Sequence, residues 1–154
     1  MPMIKLDVPL VAQEKANCCW HTSAYMIWLY WQRNGKGAGP MNTVASKYAV
    51  ADTTGLYPAE FITLAQKVGL YKLYPNAQIT EDDLFKFLQA GGPIWSAGYW
   101  FGCGHIIVVT GVDKGEVHFN DPDQGVKKKG TLKWFNEKLA RLPGCMMVKD
   151  PGAY

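Results

Sequence analysis

Between Trp20 and Arg33 the chain runs fourteen residues without a glycine or proline, and Tyr25, Met26, Ile27, Trp28, Leu29, Tyr30 and Trp31 follow one another directly. A helix with that run is apolar nearly all round, so it must be enclosed by other elements and cannot lie on a surface. The run therefore predicts a buried central helix from about Cys18 to Arg33, closed by the loose linker Asn34-Gly35-Lys36-Gly37-Ala38-Gly39-Pro40. Everything else in the fold has to be arranged so as to cover it.

The rest of the chain divides into a helical part and an extended part. Ile4 to Ala12 reads as an extended arm, placed at an edge by Pro9. Asn42 to Val50 is a possible helix. Pro58 to Val68 has proline in its first turn and stops at Gly69, and Thr80 to Ala90 has Thr80 as cap with Asp83 three residues on and stops at Gly91-Gly92. These helices are expected to pack beside the central one in a first lobe. After Pro93 the pattern becomes extended: Ile94 to Trp100, His105 to Val112, Glu116 to Asn120 and Cys145 to Lys149 read as strands, and Asp113-Lys114-Gly115 as a short hairpin turn. A further short strand is expected around Gly125 to Lys128 and a helical turn or two over Leu132 to Leu139. Helices followed by strands give an α+β class. With 154 residues and no shift in composition along the chain, residues 1–154 are expected to form one domain.

Four residues suggest a chemistry. Cys19 falls at the start of the central helix, with Asn17 as a favoured cap type before it. Unpaired N–H groups and the positive dipole end of a first helical turn favour a thiolate, the nucleophilic form of cysteine. His105 opens an apolar strand and can take the thiol proton, then return it to a leaving amine. Asp121, sixteen positions after His105, is the candidate to fix the imidazole tautomer. The short turn at Asp113 to Gly115 is expected to set the two strands side by side so that His105 and Asp121 face each other. Gln13, six positions before Cys19, is the candidate to complete an oxyanion hole with the backbone N–H of Cys19.

The stretch Val8-Pro9-Leu10-Val11-Ala12-Gln13, then Cys19-Trp20 and the aromatic helix, resembles the start of small bacterial papain-like cysteine peptidases. It is similar to the avirulence-type proteases that plant pathogens inject into host cells, and more distantly to the leader-cleaving peptidases of bacteriocin exporters. The second half, Gly104 to Val112 followed by Phe119-Asn120-Asp121-Pro122, resembles their histidine strand and Asp-Pro turn. The resemblance implies a papain-like fold, in which an N-terminal helical lobe with a buried central helix packs on a C-terminal antiparallel β-sheet. It implies a thiol endopeptidase that acts on a protein or peptide substrate through Cys19, His105, Asp121 and Gln13 without a cofactor. It also implies an effector or a toxin of interbacterial competition, acting in the target-cell cytoplasm and blocked by a cognate immunity protein. An acyl-transferring or deamidating enzyme, and a non-catalytic peptide-binding module, share the same residue pattern.

Other features are read more plainly. A net charge of +3 is too mild to point to nucleic acid, and the Lys127-Lys128-Lys129 run is expected to be a solvated loop or strand edge. No stretch reaches the roughly 18 apolar residues of a membrane span, and the N-terminus has no apolar run suited to a secretory signal. A soluble chain made in a bacterial cytoplasm, delivered if at all by a secretion machine, is therefore expected. Cys18 and Cys19 are adjacent, and a thiol nucleophile suits a reducing compartment. Cys18, Cys19, His21, Cys103 and His105 are soft ligands, but no paired Cys-x2-Cys knuckle is present, so a metal site is not expected. His21 and His118 are expected to be structural or exposed, and Cys145 a core strand residue. Of Trp95, Tyr99, Trp100 and Phe101, most are expected in the core, with one or two lining a substrate groove.

Overall fold

The computed structural model describes residues 3–13, 19–35, 69–73, 75, 77–101 and 104–152. The helices expected over Asn42 to Val50 and Pro58 to Val68, and the residues Asn17, Cys18 and Cys103, lie outside them. In chain order the elements are β1 (Ile4–Lys5), α1 (Cys19–Arg33), β2 (Leu70–Lys72), α2 (Glu81–Gly91), β3 (Ile94–Gly98), β4 (His105–Asp113), β5 (Glu116–Asp121), β6 (Val126–Thr131), α3 (Leu132–Lys138) and β7 (Met146–Lys149). The strands form one sheet in the order β2-β7-β3-β4-β5-β6, with β1 added beside β4. Every pairing is antiparallel. The protein is α+β, with helices packed on an antiparallel sheet as expected.

The sheet is covered on both faces. On one, Trp20, Ala24, Met26 and Ile27 of α1 pack against Trp95, Ala97, Ile106, Val108 and Met147. On the other, Leu84 and Leu88 of α2 and Phe135 of α3 pack against Ile94, Ile107, Val109, Phe119, Met146 and Val148. The α2 helix thus does not join α1 in a first lobe but backs the opposite face. Its two leucines, spaced one turn apart, face β3 and β4, and burying each contributes about 1.5–3 kcal/mol. Covered on both faces, β3, β4 and β7 read as near-continuous apolar runs instead of alternating ones.

Two local devices fix α2. Thr80 Oγ1 accepts from Asp83 N at 3.1 Å while Thr80 N donates to Asp83 Oδ2 at 3.0 Å, the reciprocal box expected from the sequence. Buried Asn136 of α3 then clamps the residue before that cap, accepting from Ile79 N and donating to Ile79 O, both at 2.8 Å.

The β4–β5 hairpin departs from a regular ladder. From the turn upward Asp113 pairs with Glu116, Val112 with Val117 and Gly111 with His118. Beyond that point Val109 pairs with Phe119 and Val108 with Asn120, so Thr110 is an extra residue in β4, a β-bulge. The Thr110 carbonyl accepts from Leu6 N at 2.8 Å, which docks the N-terminal arm immediately after β1. Gly111 is required there: a Cβ on it would lie 2.6 Å from the Ile4 carbonyl oxygen.

Candidate active site

Cys19 is the first described residue of α1 and is half-buried. The start of the helix is fastened to the sheet directly behind it. The fully buried indole of Trp95 donates from Nε1 to the Trp20 carbonyl at 3.0 Å, and Ser23 Oγ donates to the Ile106 carbonyl at 3.4 Å. Ile106 is the neighbour of His105 in β4, so these two bonds bring the first turn of α1 to the first residue of that strand. Across β3, His105 is opposite Gly98, where a Cβ would lie 2.6 Å from the Trp100 ring; the missing side chain lets Trp100 close over the end of the sheet.

His105 and Asp121 are joined by a 2.6 Å hydrogen bond between Nε2 and Oδ1. The imidazole is 13% exposed and the carboxylate 1%. Burial works against a charged imidazole, but hydrogen bonds to Asp121 and to Cys19, with the negative charge of both partners, outweigh it and raise the His105 pKa to about 10. Near neutral pH the ring is therefore an imidazolium whose Nε2–H donates to Asp121, leaving Nδ1 as the nitrogen for the Cys19 thiol. Asp121 is held below the usual carboxylate range: burial opposes this, and hydrogen bonds from His105, Lys128 and the Asp123 backbone overcome it. The last two of these donors are Lys128 Nζ at 2.8 Å on Oδ2 and Asp123 N at 2.9 Å on Oδ1.

The expected face-to-face placement of His105 and Asp121 needs correction in its register. Asn120 pairs with Val108, so Asp121 falls level with Ile107 and meets His105 on the diagonal, two residues along. A hairpin continuing without interruption from Asp113 and Glu116 would have set Asp121 level with Val108, whose side chain points to the α1 face. His105 would then have been on the other face. The Thr110 bulge shifts β4 by one residue and turns both side chains to the same side.

Gln13 is half-buried and reaches this region by its backbone. Its N–H donates to the Pro122 carbonyl at 2.7 Å, one residue past Asp121. The arm before it is stitched to β5 by Asn120 Nδ2, which donates to the Val8 and Pro9 carbonyls at 3.3 and 3.4 Å. Cys19, His105 and Asp121 form one hydrogen-bonded set, and Gln13 is tethered to the turn that follows Asp121.

The remaining candidates divide as follows. Cys145 is buried beside β7, where burial pushes its thiol up. His21 is half-buried with its ring edge-on to Trp20, and burial together with Lys5 and Lys129 lowers the His118 imidazole. Trp95 and Trp100 are core residues, whereas Tyr99 and Phe101 are exposed, with the Phe101 ring centroid 6.3 Å from that of His105. Sequence reasoning missed Lys128. The run it belongs to does lie on a strand edge, β6 being the outer strand of the sheet, but its three lysines alternate instead of all facing solvent. Lys127 turns to Asn120 and the Val8 carbonyl, Lys129 turns to Glu116, and Lys128 between them turns to Asp121.

Residues 2–140, a span that holds all four candidate residues, match the family model described as papain-like cysteine protease AvrRpt2. The chain belongs to this family. It is thus a cysteine protease, a papain-like thiol hydrolase of peptide bonds. Among solved structures the AvrRpt2-family chain is similar to a double glycine motif protease from an AMS/PCAT transporter, solved in complex with the leader peptide. The TM-score is 0.62 at 19% identity, over 94% of this chain and 91% of that one. At that identity the likeness is one of fold, and it supports the papain-like architecture. No helix among the described residues is long and apolar enough to cross a membrane.

Proposed function

We propose that this AvrRpt2-family protease is an endopeptidase in which Cys19 is the nucleophile, His105 its acid and base, Asp121 the residue that orients His105, and Gln13 a donor to the oxyanion. The observation that carries the reading is the single imidazole held between a thiol at the start of a helix and a buried carboxylate, with its pKa raised to about 10. A thiolate beside such an imidazolium attacks the scissile carbonyl carbon, and the negative charge that develops on oxygen is met by the Cys19 backbone N–H and the Gln13 side chain. His105 gives its proton to the leaving amine as the C–N bond breaks, which leaves an acyl-enzyme on Cys19 and a neutral imidazole. Water then adds to the thioester as His105 takes its proton, and the acid product leaves with the thiolate restored.

The substrate in this reading is a protein or peptide. The transporter protease of similar fold, solved with a leader peptide, supports a peptide as ligand. The role we infer is that of an effector or toxin acting in the cytoplasm of a target cell, with an immunity protein that occupies the cleft. The likeness of the Gln13, Cys19-Trp20 and Asp121-Pro122 stretches to avirulence-type proteases supports the effector part of this role.

The test of the chemistry is intact-protein mass spectrometry after brief exposure to an epoxide inhibitor of papain-like peptidases. One adduct mapping to Cys19, absent in Cys19→Ala and His105→Ala, is the expected result; labelling spread over Cys18, Cys103 and Cys145 would overturn the assignment. The test of the role is cytosolic expression. Toxicity that disappears with Cys19→Ala is expected, and harmless expression of an enzyme that takes the inhibitor would remove the toxin reading while leaving the peptidase intact.

A further inference from the structure

The Asp121 carboxylate has two oxygens, and the imidazole uses one of them. The other, Oδ2, receives Lys128 Nζ at 2.8 Å. Because Asp121 is 1% exposed, this ammonium is the group that compensates Oδ2 for lost water, and Lys128 itself is 37% exposed. The ammonium lies 4.3 Å from the centroid of the Phe101 ring, so it is fixed from two sides, by the carboxylate and by the face of an aromatic ring. That ring neighbours Phe119 and Trp134 as well as His105. A lysine held in this way differs from its two neighbours. Lys129 makes a 3.3 Å pair with Glu116 in which both side chains are well exposed, and Lys127 reaches the Val8 carbonyl and Asn120 Oδ1 only at 3.5 Å.

We infer that Lys128 is a positioning residue of the active site. It pins Oδ2 of Asp121 so that Oδ1 stays aimed at His105, and it keeps that carboxylate charged. The inference rests on the proposed roles of Cys19, His105 and Asp121. The consequence is chemical. A charge-assisted hydrogen bond on a buried carboxylate lowers the proton affinity of that carboxylate, and its loss leaves a buried oxygen without a strong donor. Without Lys128, Asp121 takes a proton more readily and its lever on the imidazole loosens. The positive charge that favours a thiolate at Cys19 falls as well. Among the described residues, the charged and titratable groups around the pair are His105 from β4, Cys19 from α1, Asp123 in the turn, and Lys127 and Lys129 on the other side of β6. The Lys133–Glu137 pair on α3 is an exposed couple of its own at 3.9 Å.

The experiment needs no peptide substrate. The rate at which iodoacetamide carboxamidomethylates Cys19, read by peptide mass spectrometry across pH, follows the thiolate. It is measured in the full chain for wild type, Lys128→Met, Lys128→Arg, Lys129→Met and His105→Ala. Lys128→Met keeps the stem over Phe101 but removes the ammonium. Its acid limb should move up by about one pH unit, which is a reaction about tenfold slower at any pH on that limb. Lys128→Arg, which restores a donor and a charge, should return toward wild type. Lys129→Met, with the same change in net charge, should not move the limb. Equal profiles for Lys128→Met and Lys129→Met overturn the inference, as does a slower Lys128→Met enzyme with an unmoved limb or without rescue by arginine. If His105→Ala leaves the wild-type profile unchanged, it is the Cys19–His105 assignment that fails, and the inference falls with it. Thermal unfolding of each variant, expected to be cooperative, confirms that the profiles come from folded protein.

Discussion

His105 and Asp121 lie on the same side of the β4–β5 pair because β4 carries one more residue than β5 between them and the turn. The hairpin turn alone sets an odd register, and an odd register would point the two side chains to opposite faces of the sheet. Thr110 supplies the correction, and its carbonyl at the same time holds Leu6 and hence the arm that leads to Gln13. One bulge therefore serves three of the four candidate residues.

Gly111 is the point at which this arrangement is most exposed to substitution. A methyl group there would sit 2.6 Å from the Ile4 carbonyl oxygen, a backbone atom that cannot move without β1. Gly111→Ala is expected to destabilise the protein by about 1–3 kcal/mol, the usual cost of overpacking, and to loosen the N-terminal arm. Thermal unfolding reads the first effect. The second should appear as faster amide hydrogen exchange at Leu6 and Gln13, and unchanged exchange at both would count against the bulge as the anchor of the arm.

The raised pKa of His105 makes a prediction about stability. An imidazole that titrates near 6.5 when unfolded and about 10 when folded favours the folded state at any pH below 6.5. That contribution is lost progressively as pH rises from about 6.5 to about 10. Denaturant unfolding across this interval should show wild type losing stability with increasing pH, and His105→Asn should lack that part of the slope. In Asp121→Asn the carboxylate charge is gone and burial remains, so the interval should contract toward 6.5. A wild-type slope identical to that of His105→Asn would refute the raised value.

Much of this was legible in the sequence, and the exceptions share a physical cause. The buried helix, the Thr80–Asp83 box and the β4 strand announce themselves by local pattern, because apolar periodicity and capping act within a few residues. The order Gln13, Cys19, His105, Asp121 was likewise readable, since the chemistry dictates residue types. The Thr110 bulge was not, because Val108, Val109, Thr110 and Gly111 are as suitable for a regular strand as for a bulged one. Only the arm from β1, distant in sequence, requires the bulge. The placement of α2 on the far face was missed for a similar reason: its apolar stripe says that it packs, not against which side. Lys128 was hidden by its own neighbours, as a triple lysine reads as solvated charge until strand alternation singles out its middle member.

Gln13 should separate transition-state stabilisation from thiol activation. Its proposed task begins only when the carbonyl oxygen becomes negative, so Gln13→Ala should leave iodoacetamide alkylation of Cys19 near the wild-type rate. Peptide hydrolysis should meanwhile fall by about 10²–10³ in kcat, the typical loss for one oxyanion donor. The measurement is the pair of rates on one preparation of the variant. A parallel fall in both would instead make Gln13 a support of the Cys19–His105 geometry.

Trp95→Phe tests whether the helix start is held by a specific bond or by packing alone. The indole N–H on the Trp20 carbonyl is fully buried, and Phe keeps most of the ring volume while leaving that carbonyl without its indole donor. Loss of this second bond on a carbonyl that keeps its place in the α1 ladder, together with the small cavity, costs about 1–3 kcal/mol, and that loss should be seen in denaturant unfolding. Because Cys19 is the residue just before Trp20, the loosened first turn should also slow alkylation of Cys19 and spread its pH dependence. His105 is anchored separately through β4 and Asp121, so its interaction with Asp121 should survive. In an NMR spectrum the strongly deshielded Nε2 proton of the 2.6 Å bond should persist in Trp95→Phe and vanish in Asp121→Asn. If the proton disappears in Trp95→Phe as well, the helix start and the His105–Asp121 pair are one mechanical unit, and the anchoring of Cys19 cannot be varied independently of its base.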